Sequence, residues 1–159
     1  MKSFTHLDES GNPSMVDVSN KAVTHRTATA RTRMKLGDDI MQALNGNDII
    51  TKKGSVFHTA RLAGIMAVKK TSELIPLCHP LSISKCSVDL NFNSENFLEI
   101  LCTVKLDGKT GVEMEALTGA SITALTVYDM CKSISHDITI LETVLLEKTG
   151  GKSDIKHEK

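Results

Sequence analysis

The chain has no tryptophan and only 3% aromatic residues, and its charges cancel, with 19 Lys and Arg against 19 Asp and Glu over 159 residues. Without stacking rings or a net basic field, a nucleic-acid partner is not expected. No apolar run approaches the ~20 residues needed to span a bilayer, so no membrane partner is expected. The opening stretch MKSFTHLDESGNPS lacks the apolar block of a signal peptide. Cys78, Cys86, Cys102 and Cys131 form no CxxC pair, which favours reduced thiols in a cytoplasmic protein over a disulfide framework. No four-ligand set at zinc spacing accompanies Cys78-His79, so no metal is expected. What remains is a chain long enough for one domain with a substantial core.

The periodicity along that chain changes from two to nearly four and back. Residues 1–14 are polar and predict a flexible arm. Ala28, Ala30, Thr32, Met34 and Leu36 alternate with Thr27, Thr29, Arg31, Arg33 and Lys35, the pattern of a half-exposed strand. A short helix is expected from Asp38 to Leu44, ended by Asn45-Gly46. A second runs from Ser55, a suitable N-cap, to Thr71. Pro76 and Pro80 then hold Leu77, Cys78 and His79 extended, because a residue before proline avoids the helical region. Two strands follow over residues 81–92 and 98–106, the first with a phase slip that suggests a bulge near Lys85. A last strand carries Ile138, Ile140, Val144 and Leu146, and the tail from 150 to 159 reads as mobile. The order strand, two helices, strand, strand, helix, strand predicts an α+β fold over residues 15–149. Its expected form is an antiparallel four-stranded sheet with helices packed on one face, of ferredoxin-like character.

The remaining helix, Thr110 to Ile134, is the most informative stretch. Thr110 and Glu113 have capping-box spacing. Ala116, Leu117, Ala120, Ala124, Val127, Tyr128 and Cys131 make one core-facing stripe at 3.6 residues per turn. The opposite face holds Met114, Thr118, Ser121, Ile122, Leu125, Asp129 and Lys132. A solvated face would be richer in charge, so this one is expected to be covered by another subunit, a ligand, or both.

Several residues invite chemistry, and each also has a plain explanation. Gly108-Lys109-Thr110 and Gly151-Lys152-Ser153 resemble the end of a P-loop, but the required upstream glycine is Thr103 in one case and Leu146 in the other, which excludes a Walker NTPase. Gly108 to Gly111 still open a helix, and a helix N-terminus favours phosphate oxygens. His79 reads as a core residue beside two prolines or as a proton donor in a pocket wall. Asp129 and Lys132 read as an ordinary i, i+3 pair or as an acid and a base on a covered face. Lys53 reads as a solvated loop lysine, and Glu115 as a first-turn acid.

Longer motifs reduce these alternatives. MVDVS at 15–19, KGSVFHTARLAGI at 53–65, IPLCHPL at 75–81, KTGVEMEALT at 109–118, LTVYDMCK at 125–132 and GGKS at 150–153 occur in this order. Together they resemble the cyclic pyranopterin monophosphate synthase family of molybdenum cofactor biosynthesis, from about Met15 to Ser153. The resemblance implies a cofactor-free lyase that converts (8S)-3′,8-cyclo-7,8-dihydroguanosine 5′-triphosphate to cyclic pyranopterin monophosphate and pyrophosphate. It implies a homohexamer built as a trimer of dimers, with pockets at subunit interfaces. It also implies catalytic roles for Asp129, Lys53 and Lys132. Substrate contacts would come from Leu77, Cys78, His79, Glu113, Met114 and Glu115, and phosphate contacts from Arg26 and Lys152. Two departures stand out: Gly119 replaces the family's alanine, and the tail GGKSDIK lacks a glycine after Ser153. A non-catalytic nucleotide- or pterin-sensing oligomer is the alternative, and fold alone does not separate it from an enzyme.

Overall fold

The computed structural model describes residues 7–8 and 10–157, and part of the expected 1–14 arm therefore lies outside the described residues. The alternating stretch forms β1 (Thr24–Leu36), with Ala28, Ala30, Thr32, Met34 and Leu36 all buried. After it come α1 (Asp38–Gln42), β2 (Leu44–Asn45), β3 (Asp48–Thr51), β4 (Gly54–Ser55), α2 (Val56–Lys69) and α3 (Thr71–Leu74). Then follow β5 (Lys85–Phe92), β6 (Leu98–Gly108), α4 (Glu113–Cys131), β7 (Ile138–Thr149) and β8 (Ile155–Lys156). The predicted α+β character holds, but the main sheet has five strands in the order β5-β6-β1-β7-β8 rather than four, all pairs antiparallel. The extra strand forms because Gly150, at φ +82°, turns the tail back so that Ile155 and Lys156 pair with Lys148 and Glu147. β2, β3 and β4 make a separate small sheet, with Gly46 at φ +63° in the turn between β2 and β3.

Helices α2 and α4 pack on each other and on one face of the main sheet. The opposite face carries an ion-pair network in which Glu142 lies 3.1 Å from Arg31 and 2.8 Å from Arg33. On the helix side, the alternating residues of β6 from Leu98 to Leu106 are at most 1% exposed. They meet Ala116, Ala120, Ala124, Val127 and Cys131 of α4, each fully buried. The buried Thr32 hydroxyl is satisfied by Thr143 at 2.8 Å.

Three local expectations are corrected. There is no bulge at Lys85: β5 and β6 pair in unbroken register from Lys85–Lys105 to Phe92–Leu98. The phase slip arises because Leu81 and Ile83 lie before the strand, not in it. The irregularities fall instead between β1 and β7, at Thr29/Ala30 and Arg33/Met34. They rotate β7 out of simple alternation, so Ile138 and Leu146 are buried while Ile140 is 36% exposed. Last, the capping box at α4 does not form. Val112 is the N-cap, without a side-chain bond, and the buried Thr110 hydroxyl has no partner among the described residues. Glu113 turns instead to the ammonium of Lys148, at 2.8 Å. A charged partner outcompetes a backbone amide for that carboxylate.

Candidate active site

Two groups of functional side chains occupy the two ends of α4. At its N-terminal end is an open cavity of about 810 Å³. Arg26 of β1 reaches it past the Gly108 and Lys109 carbonyls, accepting neighbours for its guanidinium at 3.4 Å each. Leu77, Cys78 and His79 line it from the proline-bracketed segment, Glu113, Met114 and Glu115 from the first turn of α4, and Lys152 from the tail. All eight residues expected to contact substrate thus surround one space. Lys21, Lys109 and Lys148, which sequence reasoning did not single out, line it too. Lys109 is fixed by donating to the Ser19 carbonyl at 2.7 Å. The signal for Lys109 was present in the Gly108-Lys109-Thr110 fragment. Lys148 had none, because its place depends on the β1–β7 register.

This cavity can hold anions at one wall and neutral polar groups at another. Its cations converge near the N-terminus of α4, where unpaired amides add positive potential. Glu115 is only 4% exposed, and burial pushes its carboxyl above the ordinary range, with the Glu113 charge adding to the effect. A buried carboxyl holds its proton more readily than a solvated one, which favours it as a hydrogen-bond donor. Burial, with help from Glu115, also raises the Cys78 thiol, which keeps it protonated.

At the other end of α4, Asp129 lies 2.7 Å from the Lys132 ammonium and 3.5 Å from that of Lys53. Lys53 arrives from the turn between β3 and β4, so elements far apart in sequence make the trio. The hydrogen bond and charge of Lys132, and then the charge of Lys53, hold the Asp129 carboxyl below its usual range. Asp129 in turn raises the Lys132 ammonium. All three side chains are about half exposed or more, so the trio is positioned without being sequestered. It is not in the cavity. Fifteen helical residues from Met114 to Asp129, at ~1.5 Å each, put the two groups on the order of 22 Å apart. A single copy therefore brings together the residues expected to bind substrate and, separately, the carboxylate and two amino groups expected to catalyse. Among the described residues, no group of three or more His, Cys, Asp or Glu side chains is placed to hold a metal.

The MoaC family model matches residues 15–151, which include both groups apart from Lys152. The chain belongs to the MoaC family. Among named relatives of this MoaC-family chain is the cyclic pyranopterin monophosphate synthase of Xanthomonas oryzae pv. oryzae, 53% identical over 152 residues, covering 96% of this chain and 92% of the relative. The synthase of Xanthomonas axonopodis pv. citri matches to the same extent. A molybdenum cofactor biosynthesis bifunctional protein of Synechocystis is also 53% identical, over 156 residues, and the match covers 45% of its length. No helix among the described residues is long and apolar enough to cross a membrane.

Proposed function

We propose that this chain is a cyclic pyranopterin monophosphate synthase, a lyase acting on (8S)-3′,8-cyclo-7,8-dihydroguanosine 5′-triphosphate early in molybdenum cofactor biosynthesis. The observation that carries the reading is the full set of matching site residues in two compact groups, within a chain 53% identical to named synthases. The purine-to-pterin rearrangement requires ring opening, water addition and ring closure, and each moves protons. Asp129, Lys53 and Lys132 supply the acid and base groups for those transfers, and no cofactor is required. In the last step a sugar-derived hydroxyl oxygen attacks the α-phosphorus, the bond to the β-phosphate oxygen breaks, and pyrophosphate leaves. Arg26, Lys152, Lys109 and Lys148 meet its growing charge. Glu115, His79 and the backbone at Leu77 and Cys78 hold the base-derived rings, Met114 packs on them, and Glu113 positions Lys148.

The complete site forms between two copies. Met114 and Asp129 are equidistant from the Ser121–Ile122 bond. Two α4 helices crossing antiparallel on a two-fold axis there would set the cavity of one copy against the trio of the other. The exposed apolar side chains of this layer support that arrangement: Leu125 is 53% exposed on α4, and Leu62 and Met66 are 59% and 50% exposed on α2. Such a dimer is the unit of the expected hexamer. The rest of the reading is one catalytic domain over 15–149 flanked by an arm and a tail, in the cytoplasm, with a small-molecule substrate as its ligand. The ferredoxin-like assignment belongs with it. It is supported by the position of β1 between β6 and β7, with β5 outermost on the β6 side.

The test is turnover of the cyclised dihydro-GTP, followed by pyrophosphate release. Asp129→Asn and Arg26→Ala should each abolish it. Co-assembled from unfolded 1:1 mixtures, the two variants should recover about a quarter of wild-type activity, because half of the dimers then carry one intact site. A sensor would bind the compound without turnover. A site built within one copy would give no recovery.

A further inference from the structure

Lys53 faces a positioning problem. Its ion pair with Asp129 joins side chains that are 64% and 55% exposed, and such pairs contribute too little to fix a loop. Its hairpin is also weak, since β3 and β4 pair at only two positions, Ile50–Ser55 and Thr51–Gly54, and short two-stranded ribbons are marginal in water. Within the turn, the Thr51 hydroxyl accepts from the Lys53 amide at 3.1 Å, and Gly54 takes φ +99°. These contacts shape the turn but do not attach it to the rest of the molecule.

Beside the β2–β3 pairing and the buried Ile49, a carboxylate attaches it. Asp48 Oδ1 accepts from its neighbour Ile49 N at 2.7 Å and from Phe57 N at 3.0 Å. Asp48 Oδ2 accepts from the Ser55 hydroxyl, whose oxygen accepts from His58 N at 3.0 Å. Phe57 and His58 offer first-turn amides of α2 that have no partner inside the helix. One side chain therefore ties the start of the hairpin to its end and to α2, between two buried anchors, Ile49 and Phe57. The other titratable groups facing it are His58 on α2 and Cys131 on α4.

We infer that Asp48 is a positioning residue for the reaction, holding the β3–β4 turn so that the Lys53 ammonium stays against Asp129. The inference rests on the proposed role of Lys53. Asp48 touches no substrate and acts through the backbone. Loss of its acceptor oxygens frees the turn, and displacement of a reacting group by an ångström costs on the order of 100-fold in rate.

The experiment compares Asp48→Ala, Asp48→Asn and Lys53→Ala in the full chain, using steady-state kinetics and carboxyl ¹³C NMR titration of Asp129. Asp48→Ala should lower kcat by about 100-fold and leave KM within about two-fold. Asp48→Asn, which keeps one acceptor for Phe57 N, should recover part of the loss. In both Asp48→Ala and Lys53→Ala the Asp129 titration should move to higher pH, because the Lys53 charge is no longer beside it. Loss of stability alone would not move it. A folded Asp48→Ala protein with wild-type kcat and an unmoved Asp129 titration, beside an inactive Lys53→Ala, overturns the inference. An active Lys53→Ala protein instead overturns the catalytic role of Lys53, and the NMR titration still decides whether Asp48 places it. If Asp48→Ala does not fold, Asp48→Asn carries the same comparison.

Discussion

Glu115 is the residue whose environment departs most from its sequence expectation. A first-turn acid is ordinarily solvated and ionised, whereas this one is 4% exposed with its carboxyl raised by burial. The sign of its effect on stability follows. Between the ordinary value of 4.5 and its raised folded value, the native chain binds more protons than the unfolded chain. Stability contributed by the protonated carboxyl is therefore present below 4.5 and is lost as pH rises through the folded value. Glu115→Gln, neutral at every pH, should melt at a higher temperature than wild type at pH 7–8, and the advantage should vanish below about pH 4.5. Thermal melts across that range check this. Turnover should fall at the same time, because the amide does not reproduce the carboxyl's hydrogen bonding to the base-derived rings. A wild-type advantage at pH 8 would mean that the carboxylate is paired rather than stranded. The sequence pointed to Glu115 through the family resemblance, while the capping-box spacing gave Glu113 a structural explanation. The structure gives Glu113 a different partner, Lys148, and leaves Glu115 as the buried acid.

Among the elements, those with strong internal periodicity were legible and those fixed by long-range register were not. β1, β6 and α2 lie within three residues of their predicted places, and Ser55 caps α2 as its chemistry suggested. The small β2-β3-β4 sheet escaped notice because its strands are two to four residues long, too short to show a period. β7 misled because its two register shifts are set by β1, 100 residues away in the chain. Gly119 shows the same contrast. By propensity, alanine is better there by ~1 kcal/mol. In three dimensions a Cβ at Gly119 would stand 2.6 Å from both Cys102 Sγ and Val68 Cγ2, where α4 closes on β6 and α2. Overpacking a fully buried contact costs roughly 1–3 kcal/mol, which outweighs the helical gain. Gly119→Ala should therefore destabilise by up to about 2 kcal/mol in urea unfolding, and adding Cys102→Ala should return part of it. A more stable Gly119→Ala would mean that the layers separate at little cost.

For the whole molecule, the sequence nominated candidate site residues but not their arrangement. Motif order carries identity, while distance depends on how α4 lies. The expectation that one face of α4 is covered proved partly internal, since Thr118 is buried within the chain and Asp129 and Lys132 are open to solvent. What is left uncovered is a seam of apolar side chains between the two groups, with Leu125, 53% exposed, the most open of those on α4. Ionising that seam separates the two questions a monomer poses. In the proposed dimer a glutamate at position 125 would have to be desolvated against the apolar face of the partner copy, which costs several kcal/mol in an interface and almost nothing on a free surface. Leu125→Glu should thus sediment as a smaller species at micromolar concentration, with unchanged circular dichroism and a melting temperature lowered only by the lost association. Its Asp129 carboxyl should still titrate low, because Lys132 and Lys53 belong to the same copy. Turnover should nevertheless drop by at least ~100-fold, since the cavity no longer meets a trio. If the variant is monomeric yet fully active, both half-sites must work within one chain, and the ~22 Å between them along α4 would have to close by motion rather than by assembly.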